Sequence, residues 1–146
     1  MIQIGGSWQN SNPYIRQAVY TEIGEDVFIN ASAKNHGNGG EIVIWSDIKN
    51  PFSSTVVSGT FKVDGGALSG DGGRIETSGA NLVIGENISV SMGSNYGNPG
   101  KWLLDPEDYV VTSSVALALV NALASGDVEI STTCCLLYTS DAADED

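Results

Sequence analysis

Residues 70–79 read Gly-Asp-Gly-Gly-Arg-Ile-Glu-Thr-Ser-Gly, a turn block with three glycines running straight into an alternating segment. Ile75 and Thr77 alternate there with Arg74, Glu76 and Ser78, the period-two pattern of a strand with one face buried. The same reading extends outward in both directions. Val27, Ile29 and Ala31 alternate with Phe28, Asn30 and Ser32, and Val57, Gly59, Phe61 and Val63 with Ser58, Thr60 and Lys62, each read as one strand. Leu82 and Ile84, then Ile88, Val90 and Met92 against Ser89 and Ser91, repeat it, with polar residues expected on the solvent face. Ile42-Val43-Ile44-Trp45 is apolar on both faces, which predicts a strand covered on its second side as well.

Glycine blocks punctuate these runs at Gly37-Asn38-Gly39-Gly40, Asp64-Gly65-Gly66, Gly70–Gly73 and Gly93–Asn98. Strand onsets at Val27, Ile42 and Val57 lie 15 residues apart and the next, at Ile75, lies 18 further on, a quasi-period without a strict repeat. Two all-β architectures fit: an antiparallel sandwich, or a parallel β-helix of short strands joined by Gly/Asn turns. Turn blocks of three to six residues with doubled glycines are longer than two-residue hairpin loops, which favours the β-helix.

One segment departs from the pattern. Ser113-Ser114 precede Val115-Ala116-Leu117-Ala118-Leu119-Val120-Asn121-Ala122-Leu123-Ala124, and Gly126 follows. This predicts a three-turn helix with serine at its N-cap and glycine near C′. Its nearly continuous apolar surface predicts cover on more than one side, across an open end of the β layer. Val128-Glu129-Ile130-Ser131 then resumes alternation.

Composition narrows the function classes. The 146 residues include 18 Gly, 17 Ser and 11 Asn, a turn-rich balance that disfavours a helical bundle. Lys and Arg number 6 against 18 Asp and Glu, a net charge of −12, and Arg16, Lys34, Lys49, Lys62, Arg74 and Lys101 never cluster, so nucleic acid and anionic membranes are not expected partners. No apolar run reaches the roughly 18 residues of a membrane-spanning helix, and the first residues lack the basic and hydrophobic regions of a signal peptide. Residues 135–145, Cys-Leu-Leu-Tyr-Thr-Ser-Asp-Ala-Ala-Asp-Glu, match codon by codon the translation of a transposase adapter used in sequencing-library preparation. The expected native segment is therefore residues 1–133, an internal piece of a longer protein, with 134–146 an artefact carrying no fold information. Removing Asp141, Asp144, Glu145 and Asp146 lowers the acidic count from 18 to 14 and leaves the net charge at −8. Cys135 goes with the tail and Cys134 stands at the junction, so the vicinal pair is not read as a redox or metal motif.

The chemistry-bearing candidates are few. Asp105, Glu107 and Asp108 form the tightest acidic group, able in principle to act as general acid and base or as metal ligands on a glycan-active β-helix. Leu103-Leu104-Asp105-Pro106 reads more simply as a strand ending in a turn with solvated carboxylates, and that reading is preferred. Gly70-Asp71-Gly72-Gly73 opens a strand, not a phosphate-binding helix. Asp64 and Asp71 lack the repeated nonapeptide of a calcium-binding β-roll. His36 stands alone in a polar loop, too little for an N/S zinc site or a haem axial pair. Asn30-Ala31-Ser32 and Asn87-Ile88-Ser89 match the glycosylation sequon. Trp8, Trp45 and Trp102 read as packing anchors, a sugar-stacking platform only if exposed together on one face. No catalytic, cofactor or metal residue is assigned.

Taken in order, Gly5-Gly6-Ser7-Trp8-Gln9, Gly39–Asp47, Gly70–Gly79 and Trp102-Leu103-Leu104-Asp105-Pro106 resemble a series found in the large exoproteins of two-partner secretion, the filamentous-haemagglutinin and high-molecular-weight adhesin group. The resemblance covers roughly residues 1 to 131, and the helix with Asn121-Ala122-Leu123 followed by Gly126 fits it too. It implies a right-handed parallel β-helix with one short helix near the C-terminal end. It also implies secretion through an outer-membrane partner pore, location at the bacterial surface, and adhesion to host cells or neighbouring bacteria without catalysis or cofactor. The family's N-terminal secretion domain is not recognisable in the chain, so the segment is expected to be shaft rather than contact surface.

Overall fold

The computed structural model describes residues 1–132; the tail assigned to an adapter lies outside them. The chain is mostly β with one short helix. Its strands are β1 (Ile2–Ile4), β2 (Tyr20–Ile23), β3 (Phe28–Asn30), β4 (Glu41–Trp45), β5 (Ser54–Val57) and β6 (Thr60–Lys62), then β7 (Arg74–Gly79), β8 (Asn81–Ile84), β9 (Ser89–Ser91) and β10 (Gly100–Pro106). Helix α1 (Ser113–Leu123) and β11 (Gly126–Ile130) complete it. The strands form three sheets in the orders β1-β4-β7-β10-β11, β2-β5-β8 and β3-β6-β9. Every pairing between these strands is parallel. From β1 to β10 the chain thus visits the three sheets in rotation, returning to the first with each circuit, and the last return, from β10 to β11, passes through α1 instead.

Register explains why no strict repeat is visible in the sequence. Ile2, Ile42, Ile75, Trp102 and Val128 stand in one row across the first sheet, at intervals of 40, 33, 27 and 26 residues. The strands keep step while the loops between them shrink. Inward-facing residues of all three sheets meet in one core that includes Ile42, Ile75, Trp102, Val57, Phe61 and Met92, all buried. Buried Thr21 and Thr55, a register pair, donate their hydroxyls to the carbonyls of Trp45 and Ser78, also a register pair. The same clip thus joins the first and second sheets on two successive circuits, satisfying buried carbonyls at the corner.

Glycine sits where circuits stack most closely. Gly73, Gly100 and Gly126 follow one another in the approach to or start of β7, β10 and β11, and a Cβ on each would enter the backbone carbonyl of Gly40, Gly73 and Gly100 respectively. The doubled glycines are therefore needed for close approach between layers.

Four expectations are corrected. The run from Val57 to Val63 is two strands on different sheets, because Gly59 turns the corner at φ 90°; alternation survives the bend, so periodicity could not reveal it. The polar face of β7 is solvated only at Arg74: Glu76 and Ser78 are fully buried. Helix α1 is capped by Thr112, whose side chain accepts from the Val115 amide, rather than by a serine. Its cover is one-sided: Val115, Ala118 and Ala122 are buried, while Leu117, Val120 and Leu123 stand more than half exposed. The predicted two-sided cover of β4 holds, all five of its residues being buried.

Candidate functional site

Buried Glu76 and Ser78 lead to the part of the molecule richest in unusual chemistry. The 15 residues between β1 and β2, Gly5 to Val19, fold back over the outer face of the first sheet as a strap. Trp8 lies beneath the guanidinium of Arg74, 4.1 Å from its centroid, and Arg74 Nε donates to Glu41 at 2.6 Å. Further along, Gln17 accepts from the indole of Trp45 at 3.0 Å, and the Asp47 amide donates to the Ala18 carbonyl at 2.8 Å. This strap is what covers the second face of β4 and the polar face of β7.

At its centre stand two carboxyl groups. Glu76 on β7 opposes Leu103, two residues before Asp105 on β10, so both carboxyls project from the same side of the sheet. Gln9 joins them: its backbone amide donates to Glu76 Oε2 at 2.9 Å, and its side-chain nitrogen donates to both Glu76 Oε1 and Asp105 Oδ2, the latter at 2.9 Å. The Ser78 hydroxyl gives Glu76 a further bond at 2.8 Å. Gln9 and Asn10 each hold φ 49°, the only non-glycine residues at positive φ among those described. A side chain in that region is tolerated where surrounding contacts over-determine it. At Gln9 its three hydrogen bonds to the carboxyls supply them.

The electrostatics of the pair follow from burial. Desolvation raises the Glu76 carboxyl above its ordinary range; the bonds from Gln9 and Ser78 oppose this, and a charge on Asp105, whenever that group is ionised, adds to it. Asp105 is also raised, first by desolvation and then by the charge of Glu129, against the bond from Gln9. Asp105 Oδ1 is buried without a hydrogen-bond partner. Beside the pair opens a cleft of about 740 Å³ between strap and sheet, lined among others by Gln17, Trp45, Asp47, Lys49, Asp105 and Glu107.

The acidic group singled out in the sequence is thus divided. Asp105 is 6% exposed, contrary to the expected solvated carboxylate, because Gln9 covers it; Glu107 and Asp108 are exposed as expected. The partner that structure gives Asp105 is Glu76, whose role local sequence could not show, since the covering Gln9 lies 67 residues from Glu76 and 96 from Asp105.

The remaining candidates are accounted for singly. His36 is exposed, its Nδ1 3.0 Å from the Ser69 hydroxyl. Asp64 Oδ1 accepts from Ser91 and the Gly93 amide, and Asp71 Oδ1 from the Asn98 amide, so both aspartates tie together turns of successive circuits. Among the described residues no three His, Cys, Asp or Glu side chains gather as a metal site. Trp45 and Trp102 are buried and Trp8 is half-buried under Arg74, so the three present no common exposed face. Asn30 and Asn87 are both exposed. Asn30 also borders an open polar groove of about 860 Å³ beside the third sheet, with Lys62, Asp64 and Ser91. Compared with protein-family models, curated proteins and solved structures, the chain matches none of them.

Proposed function

We propose that this chain is a stretch of right-handed parallel β-helix from a large secreted bacterial surface protein of the filamentous-haemagglutinin kind. There it acts as shaft, supporting adhesion without catalysing a reaction. The observation that carries the reading is the rotation of the chain through three parallel sheets, with like residues stacked in register on successive circuits. Right-handedness is the overwhelming preference for crossovers between parallel strands. Among the described residues such an arrangement leaves β1, β2 and β3 each unpaired along one edge, and β11, β8 and β9 likewise at the other ends of the three sheets. Open edges are a liability in a self-contained domain but are what a growing stack requires. The polar atoms of the outer surface are spent largely on holding neighbouring turns together, as Asp64, Asp71 and Asn81 do, which suits a scaffold.

In the full-length protein, partners would be the outer-membrane secretion pore and a surface receptor or glycan contacted by other segments. The test is deletion of residues 1–132 from that protein, followed by secretion and cell-binding assays. Loss of surface display or adhesion is expected; unchanged secretion and adhesion would remove the assigned role.

A further inference from the structure

The strap is fastened at one point by an arrangement whose hydrogen-bond inventory is unequal. Glu76 receives bonds from three donor groups: the Gln9 amide, the Gln9 side-chain nitrogen and the Ser78 hydroxyl. Asp105 receives one, on Oδ2, and its Oδ1 is buried without a partner. A buried carboxylate bonded by three donors is better stabilised as an anion than one with an unserved oxygen. No cation compensates. Among the described residues the two ion pairs are Arg74 with Glu41 and Lys101 with Glu129, so both nearby basic groups on the sheet are committed elsewhere. The other charged groups facing the pair are Asp47 and Lys49 from the loop after β4, Glu107 from the end of β10, and Glu129 from β11. Of these only Lys49 is positive, and it is exposed.

We propose that Glu76 and Asp105 hold a single proton, carried on Asp105, and that this proton latches the strap of residues 5–19 onto the first sheet. With Asp105 neutral, one anion faces the three donors and Gln9 bridges the pair without opposing charges. When Asp105 ionises, two buried anions share one amide nitrogen and Oδ1 must be hydrated. The cheapest route to that water is to lift Gln9, which already sits at positive φ. The strap therefore closes under mild acid and loosens as the pH rises, exposing the face of β4 and β7 that it covers.

The test uses the 146-residue chain. Carboxyl carbon NMR follows the titration of Asp105 and Glu76, while amide hydrogen exchange, corrected for its intrinsic pH dependence, follows Gln9 in the strap against Ile75 in the core. Asp105 is expected to titrate above the ordinary aspartate value of 3.8. Through that range Gln9 protection should fall by up to about tenfold per pH unit, the limit set by release of one proton, while Ile75 protection stays level. Asp105→Asn, which cannot ionise, should hold Gln9 protection constant across the same range. Titration of Asp105 at or below 3.8, constant Gln9 protection in the native chain, or an unchanged pH response in Asp105→Asn would each overturn the latch. Should the variant fail to fold, the two measurements on the native chain decide alone.

Discussion

Gly73 has no room for a side chain: a Cβ there would enter the carbonyl of Gly40 in the preceding circuit, whereas a Cβ on Gly24 meets nothing within 4 Å. Gly73→Ala must therefore push two layers of backbone apart. It is expected to cost on the order of 2 kcal/mol or more, in the range of overpacked interior sites. Gly24→Ala should be neutral or stabilising by about 0.5 kcal/mol through the unfolded chain. Thermal denaturation of the two variants side by side checks this, and equal melting temperatures would contradict the stacking. The carboxyl pair makes a second residue-scale prediction. Both groups bind their proton more tightly in the folded state than when unfolded. Their contribution is therefore present in mild acid and is lost as the pH rises through the raised folded values. Urea midpoints should fall across that range, and Asp105→Asn should flatten the decline. A midpoint that rises over the same interval would reverse the sign assigned here.

At the scale of elements, alternation revealed which residues point inward and little about what lies outside them. Ile42 to Trp45 announced a second covered face because that face is itself apolar. Arg74 to Gly79 could not, since its second face is polar and its cover comes from a strap remote in sequence. A corner such as Gly59 keeps inward and outward residues in phase, so β5 and β6 read as one strand until φ is seen. The helix was legible from its Ala and Leu content, but its cap lies at Thr112, before the two serines that drew attention. Thr112→Ala should lower stability by about 1 kcal/mol, a typical N-cap loss. The helix buries Val115, Ala118 and Ala122 and leaves Leu117 and Val120 each 62% exposed. Leu117→Lys should therefore raise solubility with little change in melting temperature, whereas Ala118→Lys should unfold the C-terminal part. Sedimentation and far-ultraviolet circular dichroism distinguish these outcomes.

For the molecule as a whole, the energetic unit is the stack rather than the strand. Trp102 fills the centre of the core, with its indole nitrogen donating to Thr77 at 3.1 Å, so Trp102→Ala should cost about 3–5 kcal/mol. Burial of this kind is shared between circuits, and among the described residues the terminal strands of the three sheets, β1 and β11, β2 and β8, β3 and β9, have strand neighbours on one side only. If the chain is a stretch of a longer β-helix, as proposed, a version carrying an adjoining circuit should melt at a higher temperature, because each added circuit covers an edge and extends the core.

The central claim, a chain rotating through three parallel sheets, is tested most directly by nuclear Overhauser contacts between neighbouring strands in the 146-residue chain. The account predicts amide and α-proton contacts linking Ile42, Ile75 and Trp102 in register, without the close pairs of α-protons that antiparallel neighbours produce. Strong α-proton to α-proton contacts between β4 and β7, or between β7 and β10, would contradict it.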